Sequence, residues 1–402
     1  MISSRVSSYF RAICSIVFLL FSHKYNAQSI QDYKQEALEN NSKIQALRKQ
    51  PFLVETYQKE KTTWESTEVY SGIFTGDPGI SNGILQGVAG ISQKVPILGY
   101  QRNQKEIVNI HVKIAENAFE IQQRKFFLKL EKVYYDLYQY KAKIKVYEDH
   151  QAFLKEFIVK FQSDTLIEAS SLVLRQIEEE ELQQQVEILK GTLLNAEATF
   201  NQMLGRDGFD PLIIPDNFFM PEEEPTLLLD DITFHPELLF FELNKELRQS
   251  EFNLHKKHTL SSLTLGFNYF IVDETVDDFA TNGQDIAMPY ASISFPLFSK
   301  KNQIVEKKLM ANEEKDEFDE SYITSHLQHL LETAVNNRIT ARISYTSNQK
   351  ILEQLTILKS NMDNENLNKV FEIETKIFEY KLKSIEAITN YFKQTATFNY
   401  LQ

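Results

Sequence analysis

The chain has 402 residues, 42% hydrophobic and 25% charged, with a formal net charge of −13. An acidic excess of this size opposes the basic footprint that duplex nucleic acid requires. The single cysteine, Cys14, lies in an apolar stretch near the start, so disulfides, thiol catalysis and cysteine metal sites are excluded from the rest of the chain.

Residues 1–27 read as a signal peptide. Arg5 and Arg11 mark the basic region, Ala12 to Phe21 the apolar core, and Tyr25-Asn26-Ala27 before Gln28 the cleavage point. The apolar run is too short to span a bilayer as a helix. No lipobox precedes Cys14, which follows Arg11-Ala12-Ile13.

Beyond this leader one order of elements occurs twice. The first repeat, 28–205, reads as a helix at about 35–61, a strand pair at about 63–74 and 85–94, and a helical hairpin over 97–204. A linker over 206–230 follows, with Pro211, Pro215, Pro221 and Pro225 and the acidic run Glu222 to Glu224. The second repeat, 231–402, offers a helix at about 235–258, strands at about 262–272 and 287–295, and a hairpin over 297–402.

The helical tracts are free of the main helix breaker, since none of the ten prolines falls between 97 and 210 or after 296. Phe126, Leu130, Val133, Leu137, Tyr140, Ile144, Tyr147, Leu154, Ile158 and Phe161 recur at steps that alternate around a heptad, interrupted at Gln151. That period predicts a left-handed coiled coil, with Gln151 as a register device. Leu182, Val186, Leu189, Leu193, Ala196, Phe200 and Met203 continue the pattern on the returning helix. The tract 97–160 would be about 95 Å long at about 1.5 Å per residue, more than an ordinary globular core needs. The run Glu178 to Glu181 reads as a solvated face.

The strands alternate. Leu263, Leu265, Phe267 and Tyr269 share one face, while Thr264, Gly266 and Asn268 share the other; Ala287 to Phe295 alternates likewise. Leu85 to Gln93 does so more weakly, and Thr63 to Phe74 least. Short alternating segments with aromatic ends are the signature of a transmembrane barrel, although a half-buried soluble sheet has the same period. Four strands do not close a barrel, and open edges do not survive in lipid, so a membrane reading requires several chains to share one barrel.

The duplicated order resembles the TolC-like outer membrane efflux protein family. The resemblance rests on His235-Pro236-Glu237-Leu238, on Ser92-Gln93-Lys94-Val95-Pro96-Ile97-Leu98-Gly99, on Ser292-Ile293-Ser294-Phe295-Pro296-Leu297-Phe298, and on Leu204-Gly205. It implies a mainly α fold with membrane β, in which duplicated coiled-coil hairpins form an α-barrel. Each chain would give four strands to a shared, trimeric, twelve-stranded β-barrel. It further implies a passive exit duct in the outer membrane, helices in the periplasm, and partnership with an adaptor protein and an inner-membrane pump. The helical tips then become a periplasmic aperture or docking site, carrying Asp164, Glu168, Asp363 and Glu365. The sequence departs from the family pattern at Asn41-Ser42-Lys43, at Ser299-Lys300-Lys301, and in lacking a glycine at either tip.

No phosphate loop, dinucleotide fingerprint or nucleophile elbow occurs, and no catalytic residue, cofactor or metal site is assigned. The pairs His255/His258 and His326/His329, the second with Glu332 one turn on, lie at helical spacing, but neither has a supporting Glu-x-x-His sequence or a cysteine partner. A structural coiled-coil or adaptor protein of the envelope remains the alternative to the duct. Metal cations, drugs and polypeptides are all compatible cargoes.

Overall fold

The computed structural model describes residues 29–76, 78–96, 99–162, 169–222, 229–258, 262–276, 282–294, 300–362 and 367–402. The expected signal peptide lies outside them, as do Glu223 to Leu228 of the expected linker. In chain order the elements are α1 (Ile30–Asn40), α2 (Ser42–Glu60), β1 (Glu68–Ile73), β2 (Gly79–Ile80), β3 (Gly83–Val95), α3 (Tyr100–Gln162) and α4 (Ala169–Leu204). A 3-10 turn (Leu229–Phe234) precedes α5 (Pro236–His258), β4 (Ser262–Asp273), β5 (Ile286–Ser294), α6 (Lys301–Ser360) and α7 (Leu367–Leu401). Two compact units result, and each draws on both repeats: Met1–Gln45, Gln123–Leu229 and His329–Gln402 form one, Ala46–Gln122 and Asp230–Gln328 the other.

The first unit is helical. Its chain enters through a capping box, in which the Asp32 amide donates to Ser29 Oγ at 3.3 Å and the Ser29 amide to Asp32 Oδ2 at 2.8 Å. The single helix expected at about 35–61 is instead two. Asn41 breaks it, with its backbone extended at φ −72° and ψ 114°. Its side chain accepts from the Ile44 amide at 3.0 Å, which starts α2, and donates to the Met203 carbonyl at 2.9 Å, which caps α4. One amide thus satisfies orphan groups at two helix ends.

The other end of that joint explains Leu204-Gly205. Gly205 adopts φ +78°, and the amides of Gly205 and Arg206 turn back onto the carbonyls of Gln202 and Asn201 at 3.2 and 2.9 Å, a Schellman ending. A Cβ on Gly205 would also stand 2.6 Å from the Asn40 carbonyl oxygen. Arg206 then grips Glu36 along one guanidinium edge, Nε donating to Oε1 and Nη2 to Oε2.

The core of this unit is aromatic. Tyr33, Tyr134 and Phe200 are almost fully buried, and the rings of Tyr33 and Phe200 meet edge to face at 5.1 Å. Leu130 and Leu137, two members of the heptad, are fully buried here, as expected. Tyr134, Tyr135 and Tyr138 lie off that seam and pack a second face. Phe218 covers them, at 4.5 Å from Tyr138 and 5.1 Å from Phe392. The middle of the segment between the repeats is therefore fastened to this core. Ile213 holds Tyr33 from both sides, its amide donating to the phenol at 3.0 Å and its carbonyl accepting at 3.2 Å. Burying one such ring contributes roughly 1.5–3 kcal/mol.

Further along, Leu154, Phe157, Ile158, Leu182 and Phe371 form a second cluster. Buried Gln151 donates to Gln183 Oε1 at 2.7 Å, so the interruption in the heptad is filled by a polar pair between α3 and α4. Such a pair fixes helix register at some cost in stability.

The second unit joins a sheet to α5 and to stretches of α2, α3 and α6. His235-Pro236-Glu237-Leu238 starts α5. The Leu238 amide donates to the His235 carbonyl at 2.9 Å, proline takes the first helical position, and Glu237 lies in the first turn. Ile107, Ile110, Leu247 and Leu254 make the local helical core.

The sheet is antiparallel in the order β1-β3-β4-β5, with β2 paired to β3. Its central pair joins the two repeats: β3 meets β4 from Ile84↔Asp273 to Val95↔Leu263, with one irregularity between Leu85 and Gly87. The first strand is shorter than the expected Thr63–Phe74. Thr62 and Thr63 lie in the turn that follows α2, where their hydroxyls donate to the carbonyls of Lys59 and Glu60 at 2.8 and 2.7 Å.

Candidate functional site

The sheet has two unlike faces. Cross-strand registers place Val69, Ile91, Leu265, Phe267, Ile271 and Ile293 on one face, and these side chains are 41–76% exposed. Nothing among the described residues covers them. Contiguous exposed apolar surface of this kind marks a contact with lipid or protein. Tyr269, near the loop end of the same face, donates to Asp285 Oδ2 at 2.6 Å, while Trp64 stands 58% exposed before β1. Amphipathic rings at strand ends suit a membrane interface.

The opposite face is polar toward the helices, while its next row outward carries Val88, Phe270 and Ile286. Glu68, Ser92, Gly266 and Tyr290 form one row across the four long strands, and Tyr70, Gly90, Asn268 and Met288 the next. Ser92 Oγ donates to Glu68 Oε2 at 3.4 Å, and Lys94 donates to Glu65 Oε2 at 2.8 Å. Tyr70 donates to Asn268 Oδ1, and Tyr290 stands in the adjoining row. The outer edges of β1 and β5 pair with no strand of this chain among the described residues.

The loops at the far end of the sheet hold one another. The Gly283 amide donates to the Asn82 carbonyl at 2.7 Å, and Asn282 closes its own loop onto Thr275. Asp285 Oδ1 accepts from the Val272 amide at 2.9 Å.

Asp164, Glu168, Asp363 and Glu365, expected at an aperture, lie outside the described residues. The helix ends that lead to them are described. Arg175 lies 3.7 Å over the Phe371 ring, and Lys359 pairs with Glu374. His150 is buried, stacked 4.2 Å from Phe378 at an interplanar angle of 12°. Burial, aided by nearby Lys381, pushes its imidazole down to about 4. Burial likewise pushes the Tyr134 phenol up to about 12.

The histidine pairs form no centre in the described residues, where no three His, Cys, Asp or Glu side chains are grouped to hold a metal. His326 stacks on Tyr322 at 6.1 Å. Sequence reasoning singled out the strands but missed Tyr70, Asn268 and Tyr290 as a group. The available signal was a glycine directly across from each tyrosine, Gly90 and Gly266.

No protein-family model and no curated protein matches the sequence. Solved structures do match. A structure of CusC, described in terms of transmembrane channel formation, superposes with a TM-score of 0.70 at 12% identity, over 92% of this chain and 91% of that one. The outer membrane protein VceC of Vibrio cholerae gives 0.69 at 9% identity, over 92% and 95%. The open-state MtrE outer membrane channel of Neisseria gonorrhoeae gives 0.69 at 11% identity, over 93% and 88%. The chain therefore has the fold of outer membrane channel proteins, as the resemblance to the TolC-like family implies. Among the described residues no helix is long and apolar enough to cross a membrane.

Proposed function

We propose that this chain is one protomer of an outer membrane channel, the exit duct of a tripartite efflux system. The observation that carries this reading is the two-faced sheet with both edges open. In lipid an unpaired strand edge leaves backbone groups unsatisfied, so β5 of one copy would pair with β1 of the next until the ring closes. Four long strands per chain make twelve in a trimer, with the apolar face outward and the polar face lining the bore. Exposed Ile177 and Ile188 on α4 and Ile343 and Ile357 on α6 give neighbouring copies apolar contacts along the helices. The signal peptide would deliver the chain across the inner membrane. A periplasmic adaptor and an inner-membrane pump would supply cargo and energy, leaving the duct no catalytic step. Asp164, Glu168, Asp363 and Glu365 would ring the periplasmic mouth.

Electron microscopy of the detergent-extracted mature protein tests this. A hollow three-fold particle is expected. Monomers that stay soluble without detergent, or rods without a barrel end, would overturn it.

A further inference from the structure

Tyr70 and Tyr290 come from the two outer strands of the polar face, yet their rings reach inward over the central strands. A Cβ on Gly90 would stand 2.6 Å from both the Tyr70 hydroxyl and Asn268 Oδ1, and one on Gly266 would stand 2.6 Å from the Tyr290 hydroxyl. The glycines are thus the floor on which the phenols lie. Tyr70 then bonds Asn268, and Tyr290 lies over Gly266 in the adjoining row, so two rings and an amide form one strap across β1, β3, β4 and β5. Glycine covered by a cross-strand aromatic ring is a stabilising arrangement in sheets. Tyr70 is nonetheless 41% exposed, so the strap also presents surface away from the sheet.

The charge beside it has one sign in excess. Lys94 is the sole cation in the strand sequences and is held by Glu65 at 2.8 Å. Glu68, two residues before Tyr70 on the same face, adds a second carboxylate. A π surface has a negative face, and a nearby carboxylate adds to its attraction for a positive, flat solute.

We infer that the Tyr70–Asn268–Tyr290 strap is a contact site for planar aromatic cations passing along the polar face of the sheet. The inference rests on the channel reading above and adds a cargo preference to it. The hydrogen bond to Asn268 and the close glycine floors hold the rings in place, so a solute meets a fixed ledge instead of mobile side chains. Several copies around one bore would repeat the ledge at a single level.

The full-length mature protein in planar lipid bilayers tests it, with ethidium as probe and tetraethylammonium as the non-aromatic control. Wild-type current should be blocked by ethidium in a concentration-dependent way. In the Tyr70→Leu/Tyr290→Leu variant the half-blocking ethidium concentration should rise about ten-fold, with tetraethylammonium block unmoved. Gly90→Ala, which keeps both phenols but lifts Tyr70 from its floor, should also weaken ethidium block. Open wild-type channels insensitive to ethidium would overturn the ledge and leave the channel standing. So would equal loss of both blockers in the double variant. Absence of any wild-type conductance would overturn the channel reading and the ledge with it.

Discussion

The aromatic helical core and the strand sheet use similar residues to opposite ends. In the core, Tyr33, Tyr134 and Phe200 are at most 2% exposed, and the phenol of Tyr33 is satisfied inside the chain. On the sheet, Val69 and Ile293 are 76% and 61% exposed, and both outer edges are open among the described residues. The first region is buried by the chain itself; the second is left uncovered by the described residues. Apolar content therefore says little about stability until the covering partner is known.

Substitutions can break that contrast at either end. The largest effect is expected for Phe200→Ala, which opens a cavity in the tyrosine cluster. It should cost about 3–5 kcal/mol, read as a lower urea midpoint of helix unfolding in detergent as well as in lipid. Phe267→Arg should cost about 2–4 kcal/mol, but only where the sheet meets a bilayer. Heat-resistant oligomer of the proposed channel should fall in outer-membrane fractions, while helix melting in detergent stays near wild type. Equal loss in both media would remove the distinction between the two regions.

A pH titration sharpens the comparison within the helices. The His150 imidazole titrates near 4 in the folded chain, against about 6.5 when unfolded. The unfolded chain thus binds the proton more readily, and stability is lost as pH falls from about 6.5 through about 4. The loss should reach up to about 3 kcal/mol and then level off. His150→Leu should flatten that part of the profile; an unchanged slope would assign it to carboxylates elsewhere. The smallest effect belongs to Asn41→Ala, about 1 kcal/mol for a lost cap, measured as a modest drop in melting temperature.

Much of the fold was legible in the sequence because its signals are local. The heptad from Phe126 fixed a long helix, observed as Tyr100–Gln162 against an expected 97–160. Strict alternation fixed β4 and β5 almost to the residue. The break at Asn41 was not legible, because a helix runs through asparagine unless something distant rewards stopping. Here that is the Met203 carbonyl, 162 residues away in sequence. The heptad says nothing of the tyrosines beside it, and only the fold brings Phe218 and Phe392 over Tyr135. The expected strand at Thr63 failed because two threonine hydroxyls were already engaged in ending a helix.

The candidate site divides the same way. Alternation announced a polar face and an apolar face, yet the ledge of Tyr70, Asn268 and Tyr290 depends on register, and a slip of one residue would turn each ring to the other side. By itself the sequence predicted a leader and determined the twofold order of elements, the long helical hairpins and the alternation of β4 and β5. Each of these is a periodicity or composition carried by consecutive residues. Only the tertiary structure decided that β3 pairs with β4 across the repeats, that Asn41 ties two helix ends, and that the segment between the repeats is pinned through Ile213. Those depend on hydrogen bonds and packing between residues far apart in the chain, whose closure no local pattern specifies.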